Sequence, residues 1–298
     1  MPKYHFIQAD VFTDKAFGGN QLAVFTDARG LTAEQMQTLT REMNYSESTF
    51  VLPPEMPGTD KRVRIFSPAI EMPVAGHPTV GTAFVLAQSG ELPGVEATLQ
   101  LNIGPFKVAI ERNASGEPQF VWMTHRAPEF REVRTDREQV AAALGVTAAD
   151  LREDLPVQMV TTGVPYLFIP LRSLEAIGRC RVNQSALAAL FEGEHESAAA
   201  YLFTTETTGP HAHLHARMFA PHIFDIPEDP ATGSAAAPMG AYAVHYGLLP
   251  EGRFLIEQGV EMGRPSQIHV IARRTGEVFT ELKIGGQTVI VGEGHIFW

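Results

Sequence analysis

Two stretches of this chain lack the polar stripe that marks a surface helix. After Pro78 the residues run Thr-Val-Gly-Thr-Ala-Phe-Val-Leu-Ala-Gln, and after Pro230 they run Ala-Thr-Gly-Ser-Ala-Ala-Ala-Pro-Met-Gly-Ala-Tyr-Ala-Val, ending near Gly247. A helix that is apolar all round has to be buried all round. The pattern predicts buried helices over about 78–88 and 231–246, with Pro238 inside the second. Elsewhere short runs of period-2 alternation predict strands, among them Tyr4–Val11, Leu22–Phe25, Thr49–Leu52, Arg62–Phe66, Phe106–Glu111 and Gln119–Met123 in the first half. Val157–Thr161, Tyr166–Pro170, Ala200–Thr204, His211–Phe219, Ile268–Arg273 and Thr288–Glu293 follow in the second. Thr32-Ala-Glu-Gln35 reads as a capping box that opens a surface helix over 33–43. Asp136 caps a helix that stops at Gly145, and Asn183 caps another through Phe191. Many strands around two apolar helices predict an α+β fold of two pseudo-symmetric domains, each a rolled mixed sheet around one central helix.

The two apolar helices open on the same device. His77-Pro-Thr-Val-Gly-Thr-Ala83 returns about half the chain later as Asp229-Pro-Ala-Thr-Gly-Ser-Ala235. A period this long does not belong to a solenoid and points to two related halves. The turn-rich stretch Asn113–Pro118 is the expected break between them. The expected domains are therefore 1–118 and 119–284. Because proline favours the first helical position, His77 and Asp229 are expected at or just before the two N-caps. The Gly81-Thr82 and Gly233-Ser234 pairs then fall in the first turns, among free amides and at the positive end of a helix dipole, a suitable place for a carboxylate.

Composition narrows the partners. The formal net charge of −11 argues against nucleic acid, which needs a basic surface. A small anionic substrate stays open, because local dipoles bind one inside an acidic protein. No segment reaches the roughly 18–20 apolar residues of a membrane span, and no early apolar run has signal-peptide length. Cys180 is the only cysteine, so no intrachain disulfide is available and a cytoplasmic protein is expected. A homodimer is among the expected states of assembly.

Two further groups of residues could carry chemistry. Glu47 enters the apolar stretch Thr49-Phe-Val-Leu52, where burial would suit a general base, although a solvated edge residue is the plainer reading. His211, His213, His215 and Arg217 alternate along one expected strand, with His222 beyond, and His-x-His spacing can ligate zinc. Here too the plain reading is a polar strand face. No Gly-x-Gly-x-x-Gly opens a helix and no Walker lysine exists, so nothing suggests a nucleotide cofactor.

Taken in order, six motifs carry a family resemblance. They are Gly19-Asn20 with Gln-Leu-Ala-Val-Phe, Glu47-Ser-Thr-Phe50, Ala75-Gly-His-Pro-Thr79 with Gly81-Thr-Ala83, Thr162-Gly-Val-Pro165, Glu228-Asp-Pro-Ala-Thr-Gly-Ser-Ala235 and Gly263-Arg-Pro-Ser266. The set resembles the PhzF-like family of phenazine-biosynthesis isomerases, built on the diaminopimelate epimerase fold, and covers essentially the whole chain. The resemblance implies that Glu47 is the acid/base and that His77 and Asp229 are an auxiliary polar pair. It places Asn20, Gly76, Gly233 and Ser234 at the substrate, with no cofactor and no metal, and it implies that a tail strand over 285–298 completes the first domain. Gln21 stands where the family usually has proline. The two thiols that epimerases and racemases of this fold use are absent, since Ala75 and Pro230 lie at or near those positions.

The expectation is a cofactor-independent isomerase that moves a proton between carbons of a small carboxylate-bearing substrate. The resemblance implies trans-2,3-dihydro-3-hydroxyanthranilate or a related compound. A one-base epimerase on the same fold, a zinc hydrolase using His211, His213 and His215, and a non-catalytic binder remain as alternatives.

Overall fold

The computed structural model describes residues 2–192, 198–221 and 223–298; His222 lies outside them. The chain divides into two compact units, Met1–His125 with Lys283–Trp298, and Arg126–Leu282.

The first unit begins with β1 (Lys3–Val11) and β2 (Asn20–Phe25), followed by α1 (Ala33–Met43) and β3 (Glu47–Leu52). Next come β4 (Lys61–Phe66), a two-residue β5 (Glu71–Met72) and α2 (Gly76–Gln88). The hairpin strands β6 (Glu96–Leu101), β7 (Gly104–Arg112) and β8 (Pro118–Thr124) end this part of the chain. The second unit repeats the sequence of elements. It runs through β9 (Glu129–Arg134), α3 (Arg137–Leu144), β10 (Val157–Thr161), β11 (Pro165–Pro170), α4 (Leu174–Arg179), α5 (Gln184–Ala189) and β12 (Ala199–Thr204). It continues with β13 (Leu214–Ala220), β14 (Ile226–Asp229), α6 (Gly233–His245), β15 (Gly252–Gln258) and β16 (Ser266–Thr275). Strand β17 (Val278–Gly286) carries the chain back into the first unit, where β18 (Thr288–Phe297) ends it.

Pairing shows the repeat directly. In the first unit the order is β18-β1-β2-β3-β4-β6-β7-β8, with β2–β3 and β4–β6 parallel and the rest antiparallel. In the second it is β9-β10-β11-β12-β13-β15-β16, with β11–β12 and β13–β15 parallel. A parallel pair needs a crossover connection. The first crossover is α1 in one unit and α4 with α5 in the other; the second is the apolar helix, α2 or α6. In the first unit the sheet curls until β8 pairs with the end of β17, and the Phe12 amide donates to the Gln287 carbonyl at 2.8 Å.

Both apolar helices are enclosed as their sequence requires. Every residue from Gly76 to Ala87 and from Gly233 to Val244 is buried. Helix α2 touches β1, β2, β3, β7, β8 and β18. Its Gly81 has no room for a side chain: a Cβ there would stand 2.6 Å from Val11 Cγ2 and 2.7 Å from Leu22 Cδ2. Gly240 plays the same part in α6, where a Cβ would meet Val270 Cγ1 at 2.6 Å.

Local expectations hold where a cap defines them. The Thr32–Gln35 box makes both of its bonds, Gln35 N to Thr32 Oγ1 at 3.2 Å and Thr32 N to Gln35 Oε1 at 2.8 Å. Helix α3 is capped by Asp136 and ends at Gly145 with φ +69°, while the Asn183-capped helix stops at Ala189, two residues short of Phe191. Three expectations need correction. Asn113–Pro118 is the turn between β7 and β8 inside the first unit, and the division falls after His125. Strand β13 begins only at Leu214, so His211 and His213 precede it. The third concerns the N-caps. Helix α2 starts at Gly76 with Ala75 as N-cap, so His77 is its second residue. Helix α6 starts at Gly233 with Thr232 as N-cap, which leaves Asp229 at the end of β14. Pro78 still fits, because the first four N–H groups of a helix have no partner within it. Among the described residues no helix is long and apolar enough to cross a membrane.

Candidate active site

In the first unit three buried polar side chains meet at the N-terminal turn of α2. Asn20 opens β2 and Glu47 opens β3; in the parallel pairing of these strands Leu22 lies opposite Glu47. Asn44, left-handed at φ +53°, ends α1 and turns the chain through Tyr45 and Ser46 into β3. The Ser46 hydroxyl donates to Asn20 Oδ1 at 2.8 Å, and Asn20 Nδ2 lies 3.1 Å from His77 Nδ1. His77 Nε2 stands 3.5 Å from Glu47 Oε2. Two residues further along β3, Thr49 Oγ1 meets Thr82 Oγ1 of α2 at 2.8 Å, which fixes strand and helix together beside the pair.

Glu47 is only 6% exposed and His77 2%. The solvated-edge reading of Glu47 therefore fails. The alternation put Thr49 on one face of β3 and Phe50 on the other, and both faces are covered. Phe50 stacks on Phe25 with ring centroids 4.7 Å apart, beneath α1, while Thr49 faces α2. Burial pushes the His77 imidazole down to about 3, opposed by a hydrogen bond that the ring donates to the Gln21 backbone. His77 is thus neutral near pH 7, and Glu47 has an uncharged imidazole as neighbour. An imidazolium there would favour the carboxylate and weaken it as a base.

In the second unit Asp229, 2% exposed, accepts the Thr232 hydroxyl on Oδ2 at 2.6 Å. Gly233 and Ser234 form the first turn of α6, and Ser234 Oγ lies 2.6 Å from the Tyr166 hydroxyl. Gln258, at the end of β15, holds the turn from behind. Its Nε2 donates to the Asp229 carbonyl at 2.7 Å and to Thr232 Oγ1 at 2.9 Å, and its Oε1 accepts from the Thr232 amide at 3.1 Å. Gln258 and Tyr166 carry no local sequence signal, because each meets this turn only through contacts far apart in the chain. The structure gathers Asn20, Glu47, Gly76 and His77 within one unit, and Asp229, Gly233 and Ser234 within the other.

The histidine strand serves another purpose. His215 Nδ1 meets Glu257 Oε1 at 2.7 Å and His215 Nε2 meets Glu261 Oε1 at 2.9 Å, so both ring nitrogens are engaged by carboxylates. Burial pushes this imidazole down, but the bonds to Glu261 and Glu257 outweigh it and leave it raised. His213 Nδ1 takes the Leu255 amide at 3.2 Å, and Arg217 pairs with Glu228 at 2.7 and 2.9 Å. A zinc site on His211, His213 and His215 does not fit this geometry. The spacing that suggested it came from treating His211–Phe219 as one strand. Cys180 is buried at the end of α4, its thiol pushed up to about 11 chiefly by burial, and is inert packing.

A mixed sheet rolled around an apolar helix, built twice in one chain, is the diaminopimelate epimerase-like fold. Comparison with known proteins gives the family. A model of the phenazine biosynthesis-like protein family matches residues 9–294. An uncharacterized isomerase of Mesorhizobium japonicum is 39% identical over the full length of both chains. The trans-2,3-dihydro-3-hydroxyanthranilate isomerase of Pseudomonas aeruginosa is 33% identical over 99% of each. A solved PhzF-family phenazine biosynthesis protein of Bacillus anthracis superposes with a TM-score of 0.90 at 30% identity, covering both chains completely. The chain belongs to the PhzF family of phenazine biosynthesis-like proteins, and it is an isomerase.

Proposed function

We propose that this isomerase moves a proton between two carbons of a small carboxylate-bearing substrate without a cofactor, with Glu47 as the acid/base. The observation that carries the proposal is the buried Glu47 carboxylate 3.5 Å from a neutral His77. A carboxylate shielded from water is a stronger base than one in solvent, and a neutral neighbour leaves that basicity intact. In the forward step Glu47 takes a proton from one carbon, and the electron pair shifts through the adjacent double bond. The same carboxyl group then returns the proton to a second carbon. No hydride and no outside oxidant are needed.

Within the first unit Asn20, Gly76 and His77 are assigned to substrate contact, and within the second unit Asp229, Gly233 and Ser234. Amides in the first turns of α2 and α6 are suited to a substrate carboxylate, and such donors favour negative charge developing beside it when a C–H bond breaks. One acid/base, with no thiol pair in the chain, suits a proton shift better than inversion, which needs groups on both faces of the carbon. The name of the Pseudomonas aeruginosa relative makes trans-2,3-dihydro-3-hydroxyanthranilate the first compound to try. The test is incubation with that compound in deuterated water, followed by proton NMR. Deuterium at a new carbon with a displaced double bond supports the proposal. Deuterium at the original carbon, with inversion and no double-bond movement, would instead make the protein a one-base epimerase.

A further inference from the structure

Gln258 is completely buried, although glutamine side chains usually reach water. Its amide is oriented without ambiguity. Oε1 accepts from a backbone N–H, that of Thr232, and from the Tyr201 hydroxyl at 3.3 Å; Nε2 donates to a backbone carbonyl, that of Asp229, at 2.7 Å. Exchanging oxygen and nitrogen would set donor against donor and acceptor against acceptor. Nε2 also donates to Thr232 Oγ1 at 2.9 Å. That bond occupies a lone pair of the hydroxyl, whose own proton then goes to Asp229 Oδ2, 2.6 Å away.

Thr232 is the N-cap of α6, yet its side chain makes no capping bond to the helix. A threonine at this position ordinarily satisfies an amide of the first turn, worth about 1 kcal/mol. Here the hydroxyl is turned onto a carboxylate instead. A local stability rule broken in favour of one side chain marks a functional constraint. The turn is clamped from its other side as well. Ser266 Oγ donates to the Pro230 carbonyl at 2.8 Å, and a Cβ on Gly259 would stand 2.6 Å from that same carbonyl oxygen.

We propose that Gln258 is a positioning residue that acts through the Thr232 hydroxyl to hold the Asp229 carboxylate in one orientation, with Oδ2 as an acceptor. The proposal rests on the assignment of Asp229 to substrate contact. Gln258 and Thr232 touch no reacting atom in this account; they fix the group that does. Among the groups of the second unit that face the carboxylate are the Thr232 hydroxyl and, as a charge neighbour, the Tyr201 phenol, which burial, Tyr166 and Asp229 together push up.

The test needs no substrate. The Asp229 side-chain carboxyl carbon is followed by ¹³C NMR across a pH series in the parent, Thr232→Val, Thr232→Ser and Gln258→Met. A hydrogen bond donated to a carboxylate favours its charged form. Removing the hydroxyl while keeping a β-branched shape in Thr232→Val should raise the titration midpoint by about one pH unit, the size expected from one hydrogen bond to a charged group. Thr232→Ser retains the hydroxyl and should stay within a few tenths of a unit of the parent. Gln258→Met should move the midpoint in the same direction, and adding it to Thr232→Val should give no further shift, since the two act in one chain of bonds. Should Gln258→Met fail to fold, Gln258→Leu, uncharged and without a donor, takes its place. An unmoved midpoint in Thr232→Val, or shifts that simply add, overturns the relay. An Asp229→Asn protein that turns substrate over at the parent rate would instead overturn the assignment of Asp229, whatever the titration shows.

Discussion

Burial pushes three histidines in this molecule down, and the net direction of each is set by what its ring meets. His77 and His125 are pushed down by burial, to about 3 and about 4. Both bind a proton more readily in the unfolded chain, whose histidines titrate near 6.5. Stability therefore falls as pH drops from about 6.5 toward 4, by up to about 1.4 kcal/mol per pH unit for each ring. Urea unfolding at pH 6.5, 5.5 and 4.5 should show this slope, and His77→Gln should make it shallower. An unchanged slope in the variant would mean that His77 titrates normally. His215 has the reverse sign. Its value is raised by Glu261 and Glu257 against the effect of burial, so its stabilisation is full below about 6.5 and is lost as pH rises through the folded value. His215→Gln should cost about 2 kcal/mol at pH 6 and clearly less at pH 9; the figure sits below that of a fully buried pair because Glu261 is partly exposed. Equal losses at the two pH values would show that the imidazolium is not what the carboxylates hold.

At the scale of elements, the parts legible in the sequence were those with local causes. The Thr32–Gln35 box, the Asp136 cap and the Gly145 stop depend on residues within four positions of one another, and each forms as read. Thr32→Ala should lower stability by about 1 kcal/mol, measurable as a shift in the urea midpoint at unchanged slope. The enclosure of α2 and α6 was legible for a different reason: with no polar face on either helix, any fold had to wrap them. Gly81→Ala tests how tightly. The methyl would overlap Val11 and Leu22, and a loss of about 1–3 kcal/mol is expected; a neutral effect would mean that the sheet relaxes freely around α2. The short edge elements β5 and β14, and the late start of β13, were not legible. Nothing in Glu71-Met72 or Ile226–Asp229 alternates for long enough, and their pairing is decided by β4 and β13. The entry into the two repeat helices also escaped local reading. The same Pro-x-x-Gly pattern starts a helix before the proline in one copy and three residues after it in the other, because Gln258 and Ser266 hold the second copy as a turn.

For the whole molecule, the internal repeat was visible as one heptapeptide pattern and proved to be a repeat of strand order, parallel pairs and crossovers. Glu47 shows the limit of reading residues alone. Composition and alternation favoured an edge residue, and only the set of motifs made it the candidate base; its burial follows from α1 on one face of β3 and α2 on the other. The tail makes a testable contribution, since β18 pairs with β1 from Val11–Thr288 to Lys3–Phe297, and Ile296 packs against the cluster under α1. A chain ending at Gln287 should lose more stability than the 0.5–3 kcal/mol of an ordinary single substitution, read as a lowered thermal midpoint.

The proposed role of the Glu47 carboxylate is to move the proton. The most direct measurement is mass gain from deuterated water in a bacterial metabolite pool, comparing the parent protein with Glu47→Gln, which keeps shape and hydrogen bonding but cannot accept the proton. The account predicts at least one carboxylate-bearing compound that gains deuterium with the parent, and a rate lower by about 10²–10⁴-fold with the variant, as expected for loss of a general acid–base group. Incorporation by Glu47→Gln within a few-fold of the parent would contradict it.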